Sequence, residues 1–138
     1  MERRDLILDQ IEQMGLFLQK LLADFVNNKS GNNESNASDL VTNELKNELD
    51  FDLKLFLTLS DEEIKKYLLG FKFTEEHLES FSKLLVKMSS LETNEKLYTI
   101  EYLSKALKVL DITDDISSTF SFERNSKKNQ IKELLKNN

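Results

Sequence analysis

Six large apolar side chains, Ile7, Ile11, Met14, Leu18, Leu21 and Phe25, follow one another at steps of four, three, four, three and four residues. With 3.6 residues per turn, this alternation places all six on one face of an α-helix running from about Asp5 to Asn27. A face that long must be covered by other helices or by a second chain. Leu8, Phe17, Leu22 and Val26 widen it beyond a two-residue coiled-coil seam, and the pattern lasts less than three heptads. It therefore reads as the core helix of a bundle, and as an interface only where later helices leave it uncovered. Gly15 lies in its middle at a cost of about 1 kcal/mol relative to Ala. A glycine there is expected to admit a closely packed partner helix.

The rest of the chain excludes most alternatives to helix. Its 138 residues include no Pro, no Cys and three Gly. All-β domains and glycine-rich phosphate loops need more turn residues than this. The lack of Cys removes disulfides, thiolate metal sites and Cys nucleophiles, and fits a reducing compartment. The length suits one domain over residues 1–138, with a core that needs no staples. A formal charge of −6 opposes general attraction to nucleic acid or anionic lipid. Asp9, Gln10, Glu12 and Gln13 interrupt any signal-peptide core after Arg3 and Arg4, and Gln19, Lys20 and Asp24 interrupt any membrane span. The expected location is cytoplasmic. The glycosylation triplets starting at Asn28, Asn33 and Asn36 are then chance matches.

Residues 27–37 hold no sizeable apolar side chain and are expected to form a flexible linker after the first helix. A second helix follows over about Asp39–Leu49, with Ser38 as its cap and Val41, Leu45, Leu49, Leu53 and Phe56 on one face, bending near Asp50. Ser60-Asp61-Glu62-Glu63 spells a capping box that opens a short helix, and Gly70 is placed to end it in the left-handed conformation. Thr74 caps the next helix, whose core face carries Leu78, Phe81, Leu84, Leu85 and Met88. After a polar break, a helix over about Glu95–Leu110 presents Leu97, Ile100, Leu103, Leu107 and Leu110, with Tyr98, Tyr102 and Ala106 on its flank. The short connection makes these two helices an antiparallel hairpin. A polar segment from Asp111 to Thr119 precedes a final helix over about Phe122–Lys136, burying Ile131, Leu134 and Leu135 with help from Phe120 and Phe122.

The fold class is thus all-α, a compact bundle of about five to six helices in antiparallel hairpins. One hairpin carries a family likeness. In the segment from Thr99 to Asp111, the residues Ile100, Glu101, Lys105, Ala106, Leu107 and Asp111 match the second helix of a tetratricopeptide repeat, and residues 74–110 resemble the helix-turn-helix unit of that family. Leu103 takes the place of the usual aromatic residue and Thr99 that of a small Ala; the first helix lacks the Trp-Leu-Gly pattern, and no Pro follows Asp111. The resemblance implies tetratricopeptide-like hairpins and a protein-binding role. The chain as a whole is also similar to small bacterial all-helical proteins, a likeness that implies no activity.

Catalytic patterns are weak. His77 stands alone among histidines, with Thr74 rather than Glu three residues before it, so it is expected to be a solvated first-turn residue and no metal ligand. Asp111, Thr113, Asp115 and Ser117 alternate like a calcium loop, but Ile116 and Phe122 occupy its glycine and bidentate-Glu positions; the stretch reads as a turn with helix-capping acids. The pairs Glu62/Glu63, Asp114/Asp115 and Asp50/Asp52 lie at helix starts where charge is solvated. No catalytic, cofactor-binding or metal-binding residue is therefore assigned, no cofactor or small-molecule substrate is expected, and the chain is read as a non-enzyme. Charge divides the chain: residues 34–63 hold nine acids against two lysines, whereas residues 120–138 hold five cations against two acids. These are read as two solvated faces that attract each other within the fold. The leading expectation is a protein-interaction or scaffold module with a helical groove, binding a protein partner or its own copy, with no membrane contact. The alternative is a nucleic-acid accessory protein using Lys127, Lys128 and Lys132, which the acidic whole disfavours.

Overall fold

The computed structural model describes the backbone of residues 3–30, 34–91 and 96–138, and the side chains of residues 10–27, 37–91 and 96–138. Ile7, Leu8 and the asparagines that open the three glycosylation triplets fall outside the described side chains, as does part of the break after Ser90. Among the described residues there are seven helices: α1 (Arg3–Ser30), α2 (Glu34–Leu49), α3 (Leu53–Thr58), α4 (Asp61–Leu69), α5 (Glu75–Ser89), α6 (Lys96–Ile116) and α7 (Phe122–Lys136). Helices α5 and α6 make the most extensive pairing; α1 packs on both α2 and α5, and α7 packs on α6. One continuous apolar cluster draws on all seven.

Helix α1 runs to Ser30 and α2 begins at Glu34, so most of the polar stretch 27–37 is helical. Ser38 lies inside α2 rather than at its cap, where its carbonyl accepts from the Thr42 hydroxyl at 2.9 Å. Ala37, Val41 and Leu45, spaced by four, are almost wholly buried and supply the apolar contact that carries α2 past its polar start.

The seventh helix arises because the second ends outright where a bend was expected. Asp50 adopts a left-handed conformation, φ 55°, and the Asp50 and Phe51 amides turn back onto the carbonyls of Lys46 and Leu45. Asp52 then caps α3 by accepting from the Leu55 amide at 3.0 Å. This reversal drives Phe51 inward, fully buried, where five rings surround it at centroid distances of 5.0 to 6.4 Å: Phe56, Tyr67, Phe71, Phe73 and Phe81. The Tyr67 hydroxyl accepts from the Asp52 amide at 2.9 Å, satisfying a polar group beside the rings.

The capping box at Ser60 and Glu63 forms as expected. Gly70 does not take the left-handed position; its φ is −65°, and Lys72 holds φ 57° instead. The reason is aromatic. Tyr67, Phe71 and Phe73 form a continuous stack at 5.2 and 5.7 Å, which places the reversal at Lys72. Gly70 provides room, since a Cβ there would lie 3.3 Å from the Tyr67 carbonyl oxygen.

The α5–α6 hairpin follows the expected faces on α5, where Leu78, Phe81, Leu84, Leu85 and Met88 are all buried. Its register is marked by Ser82, whose hydroxyl donates to the Ala106 carbonyl at 2.9 Å, two residues placed symmetrically about residue 94. Helix α6 departs from expectation in length and face. It continues to Ile116, because Ile112 and Thr113 extend the buried series Tyr102, Ala106 and Val109, and the Thr113 hydroxyl is satisfied by the Val109 carbonyl at 2.8 Å. Leu97 is exposed, while Tyr102 and Ala106, assigned to the flank, are buried. In α7, Ile131 is buried, Leu135 half-buried and Leu134 exposed. Phe120 and Phe122 point to solvent as an edge-to-face pair 4.9 Å apart and do not support α7.

Truncating Phe51 leaves a void that its neighbouring rings cannot all collapse into. Phe51→Ala is expected to destabilise the fold by about 3–5 kcal/mol, read from a denaturant melt.

Candidate functional site

The sides of α1 are divided between two neighbours. Leu18, Leu21 and Phe25 are buried, and Ile11 and Met14 are half-buried. The attachment to α5 runs through His77, which is buried rather than solvated, 3% exposed. His77 occupies the third position of α5, so its ring reaches back to Thr74 as a Glu would in a capping box. The Thr74 N–H donates to Nδ1 at 3.1 Å, and the His77 N–H donates to the Thr74 hydroxyl at 3.3 Å. That fixes Nδ1 as an acceptor and leaves the proton on Nε2, which lies 2.9 Å from the Ile11 carbonyl of α1. Ile11 lies one helical turn before Gly15, and the same imidazole lies beside that glycine: a Cβ at Gly15 would sit 3.6 Å from Nε2. Gly15 thus admits a partner helix through one side chain, with both imidazole nitrogens bound to backbone. No nitrogen is left for a metal or a proton relay.

The face of α1 turned toward α2 is different. Gln13, Leu16, Phe17, Lys20, Leu21 and Asp24 line a groove of about 320 Å³ whose opposite wall is Glu44 and Glu48 of α2. Leu21 forms its floor, Phe17 is half-buried, and Leu16 is 59% exposed. The groove therefore combines an apolar floor at Leu21 with a rim on which Asp24, Glu44 and Glu48 outnumber Lys20.

The basic C-terminal helix is engaged internally. Arg124 is 3% exposed and reaches three acceptors: Nε donates to Asp114, Nη1 to Glu79 at 3.0 Å, and Nη2 to the Thr119 carbonyl at 3.3 Å. Lys128 bridges Asp111 at 2.7 Å and Asp114 at 2.8 Å. Lys127 and Lys136 pair with Glu123 and Glu133 on their own helix. These partners lie on α5, α6 and α7, not in the acidic stretch 34–63 as expected. Asp111 and Asp114, read as turn acids, are helical residues of α6 that anchor α7. The separation of ten to seventeen residues between α6 acids and α7 cations gives no local periodic signal. Among the described residues no group of three or more His, Asp or Glu is arranged to hold a metal, and no helix is long and apolar enough to cross a membrane.

Burial alone would push the Asp114 carboxyl up, but hydrogen bonds from Lys128 and Arg124, with their charges, outweigh it and hold the group below the usual carboxylate range. Hydrogen bonds to Asp111 and Asp114 raise Lys128 above its ordinary value.

Comparison of the chain with protein-family models, with curated proteins and with solved structures returned no match.

Two outcomes follow from this geometry. Gly15→Ala, whose methyl meets His77 at ordinary contact distance, is expected to stabilise the fold by about 0.5–1 kcal/mol through helix propensity. Gly15→Leu is expected to displace the imidazole and destabilise it, both read from thermal melts. A depressed Asp114 contributes stability that is full above the unfolded carboxylate value of about 3.9 and is lost as pH falls through the folded value. A melting temperature measured from pH 7 to pH 2.5 is expected to fall below about pH 4, and Asp114→Asn to start lower and fall less over that range.

Proposed function

We propose that this chain is a non-enzymatic interaction module that holds a segment of another protein, or of its own copy, in the groove between α1 and α2. The observation that carries the reading is Leu16 beside Phe17: a large apolar side chain left mostly in solvent over a half-buried ring, at the mouth of an inter-helical trough. Helix-in-groove recognition uses this kind of apolar surface beside an inter-helical trough. The likeness of residues 74–110 to a tetratricopeptide hairpin supports the same class of function by analogy. The non-enzymatic part rests on the His77 nitrogens, both bound to backbone, and on the carboxylates of the α6–α7 cluster, which are ion-paired.

The nucleic-acid alternative loses support from the same geometry. Arg124 and Lys128 face internal carboxylates, so α7 offers phosphate fewer cations than its sequence suggests.

Leu16→Glu tests the reading, because an exposed side chain is changed and the core is not. Affinity capture from native extract with wild type and variant, alongside light scattering after size exclusion, is expected to show a partner or self-association that the variant loses while its melt is unchanged. A bound set that Leu16→Glu leaves intact overturns the groove, as does a strictly monomeric wild type that captures nothing.

A further inference from the structure

The groove's chemistry narrows what can occupy it. Its α1 wall is formed by positions 13, 16, 17, 20, 21 and 24, the spacing of a single helical face, so the trough runs along the helix axis. Between Gln13 and Asp24 that face rises about 16 Å, three turns of helix. The α2 wall, Glu44 and Glu48, covers one turn of that length, so the α1 face with Leu16 at the mouth and Phe17 and Leu21 below it stays open along most of its run. Such a surface matches the apolar stripe of another helix better than it matches a compact small molecule.

Charge supplies the second constraint. Of the ionisable residues lining the groove, Asp24, Glu44 and Glu48 are acidic and Lys20 alone is basic. Glu44 and Glu48 stand one turn apart on the same face of α2, a like-charge spacing that works against the helix. Neither takes part in an ion pair among the described residues, whereas the neighbouring Lys46 on another face of α2 is paired with Asp50 at 2.7 Å. The carboxylates of the α6–α7 cluster, by contrast, all have cations within 3.0 Å. On the α2 wall, Glu44 and Glu48 thus place negative charge beside apolar surface with no ion pair among the described residues.

We propose that the α1–α2 groove receives a cationic amphipathic helix of another protein, with its apolar stripe on Leu16, Phe17 and Leu21 and its Lys or Arg side chains on Glu44 and Glu48. This rests on the interaction-module reading and specifies the partner. A second copy docked face to face through the same groove would set two grooves of net negative charge against each other, since a two-fold interface uses the same patch on both subunits. Its most basic helix, α7, already holds Arg124 and Lys128 on its own acids. A partner of opposite charge meets neither obstacle, and complementary charge favours both its encounter and its register.

Fluorescence anisotropy with labelled model peptides of roughly four helical turns tests this. A Leu/Lys amphipathic peptide is compared with its charge-inverted Leu/Glu counterpart and with an Ala/Lys peptide of equal charge lacking the leucine stripe. Expected is saturable binding of Leu/Lys alone, weakened about tenfold by Glu44→Gln/Glu48→Gln and within twofold of wild type in Asp61→Asn/Glu62→Gln, which removes two charges from α4. Glu44→Lys/Glu48→Lys is expected to transfer binding to the Leu/Glu peptide. Equal loss in the α4 control, equal binding of the Ala/Lys peptide, or no saturable binding of Leu/Lys overturns the proposal. If Leu/Glu binds wild type as tightly as Leu/Lys and Leu16→Glu abolishes both, the cationic specificity fails while the groove stands. If Leu16→Glu changes neither, the groove fails as well.

Discussion

Everything around the middle of this chain is arranged to keep one benzene ring dry. Phe51 lies between two helices, in a segment too short to be covered by either, and it is buried only because the chain reverses at Asp50 and folds α3 and α4 around it. The surrounding rings come from four local contexts: Phe56 from α3, Tyr67 from α4, Phe71 and Phe73 from the connection after it, and Phe81 from α5. Several steps of connectivity are thereby tied to one point. The left-handed residues Asp50 and Lys72 are strained conformations for side chains with a Cβ, and they occur at the two reversals that deliver these rings.

The aromatic centre positions α5, and α5 in turn positions α1. His77 reaches from the first turn of α5 to the backbone of α1, and Gly15 makes the space for its ring. With one side of α1 fixed there and the next facing α2, Leu16 on the remaining strip is left mostly exposed. The groove is a consequence of helix count. The core is completed by two neighbours, and α1 has more apolar circumference than two neighbours can occupy.

What the sequence made legible was local. The capping box at Ser60, the Thr74 cap and the apolar face of α5 are signals carried within one or two helical turns, and each is realised. The width of the α1 face was also readable, as a core face first and an interface only where later helices left it uncovered. What was not readable depends on residues far apart. His77 looks solvated until α1 is laid across it, and Arg124 looks like a surface cation until Glu79 and Asp114 converge on it. The extension of α6 to Ile116 depends on a core that accepts Ile112 and Thr113 beyond the polar signal at Asp111. Phe120 and Phe122 were assigned to the core on hydrophobicity alone, and the short turn into α7 gives them nothing to pack against but each other.

The way α7 is attached sets it apart from the other long helices. Its buried residues are Arg124 and Ile131, against eight buried positions on each helix of the α5–α6 hairpin. α7 is held by Ile131, by the half-buried Leu135 and by a set of ion pairs, a smaller apolar share than either helix of the hairpin has. Local opening of α7 is therefore expected to cost less than opening of the hairpin, with α7 amides exchanging ahead of those in α5 and α6. With Arg124 buried and Lys128 spanning two carboxylates, the positive charge that α7 displays to solvent is smaller than its composition implies.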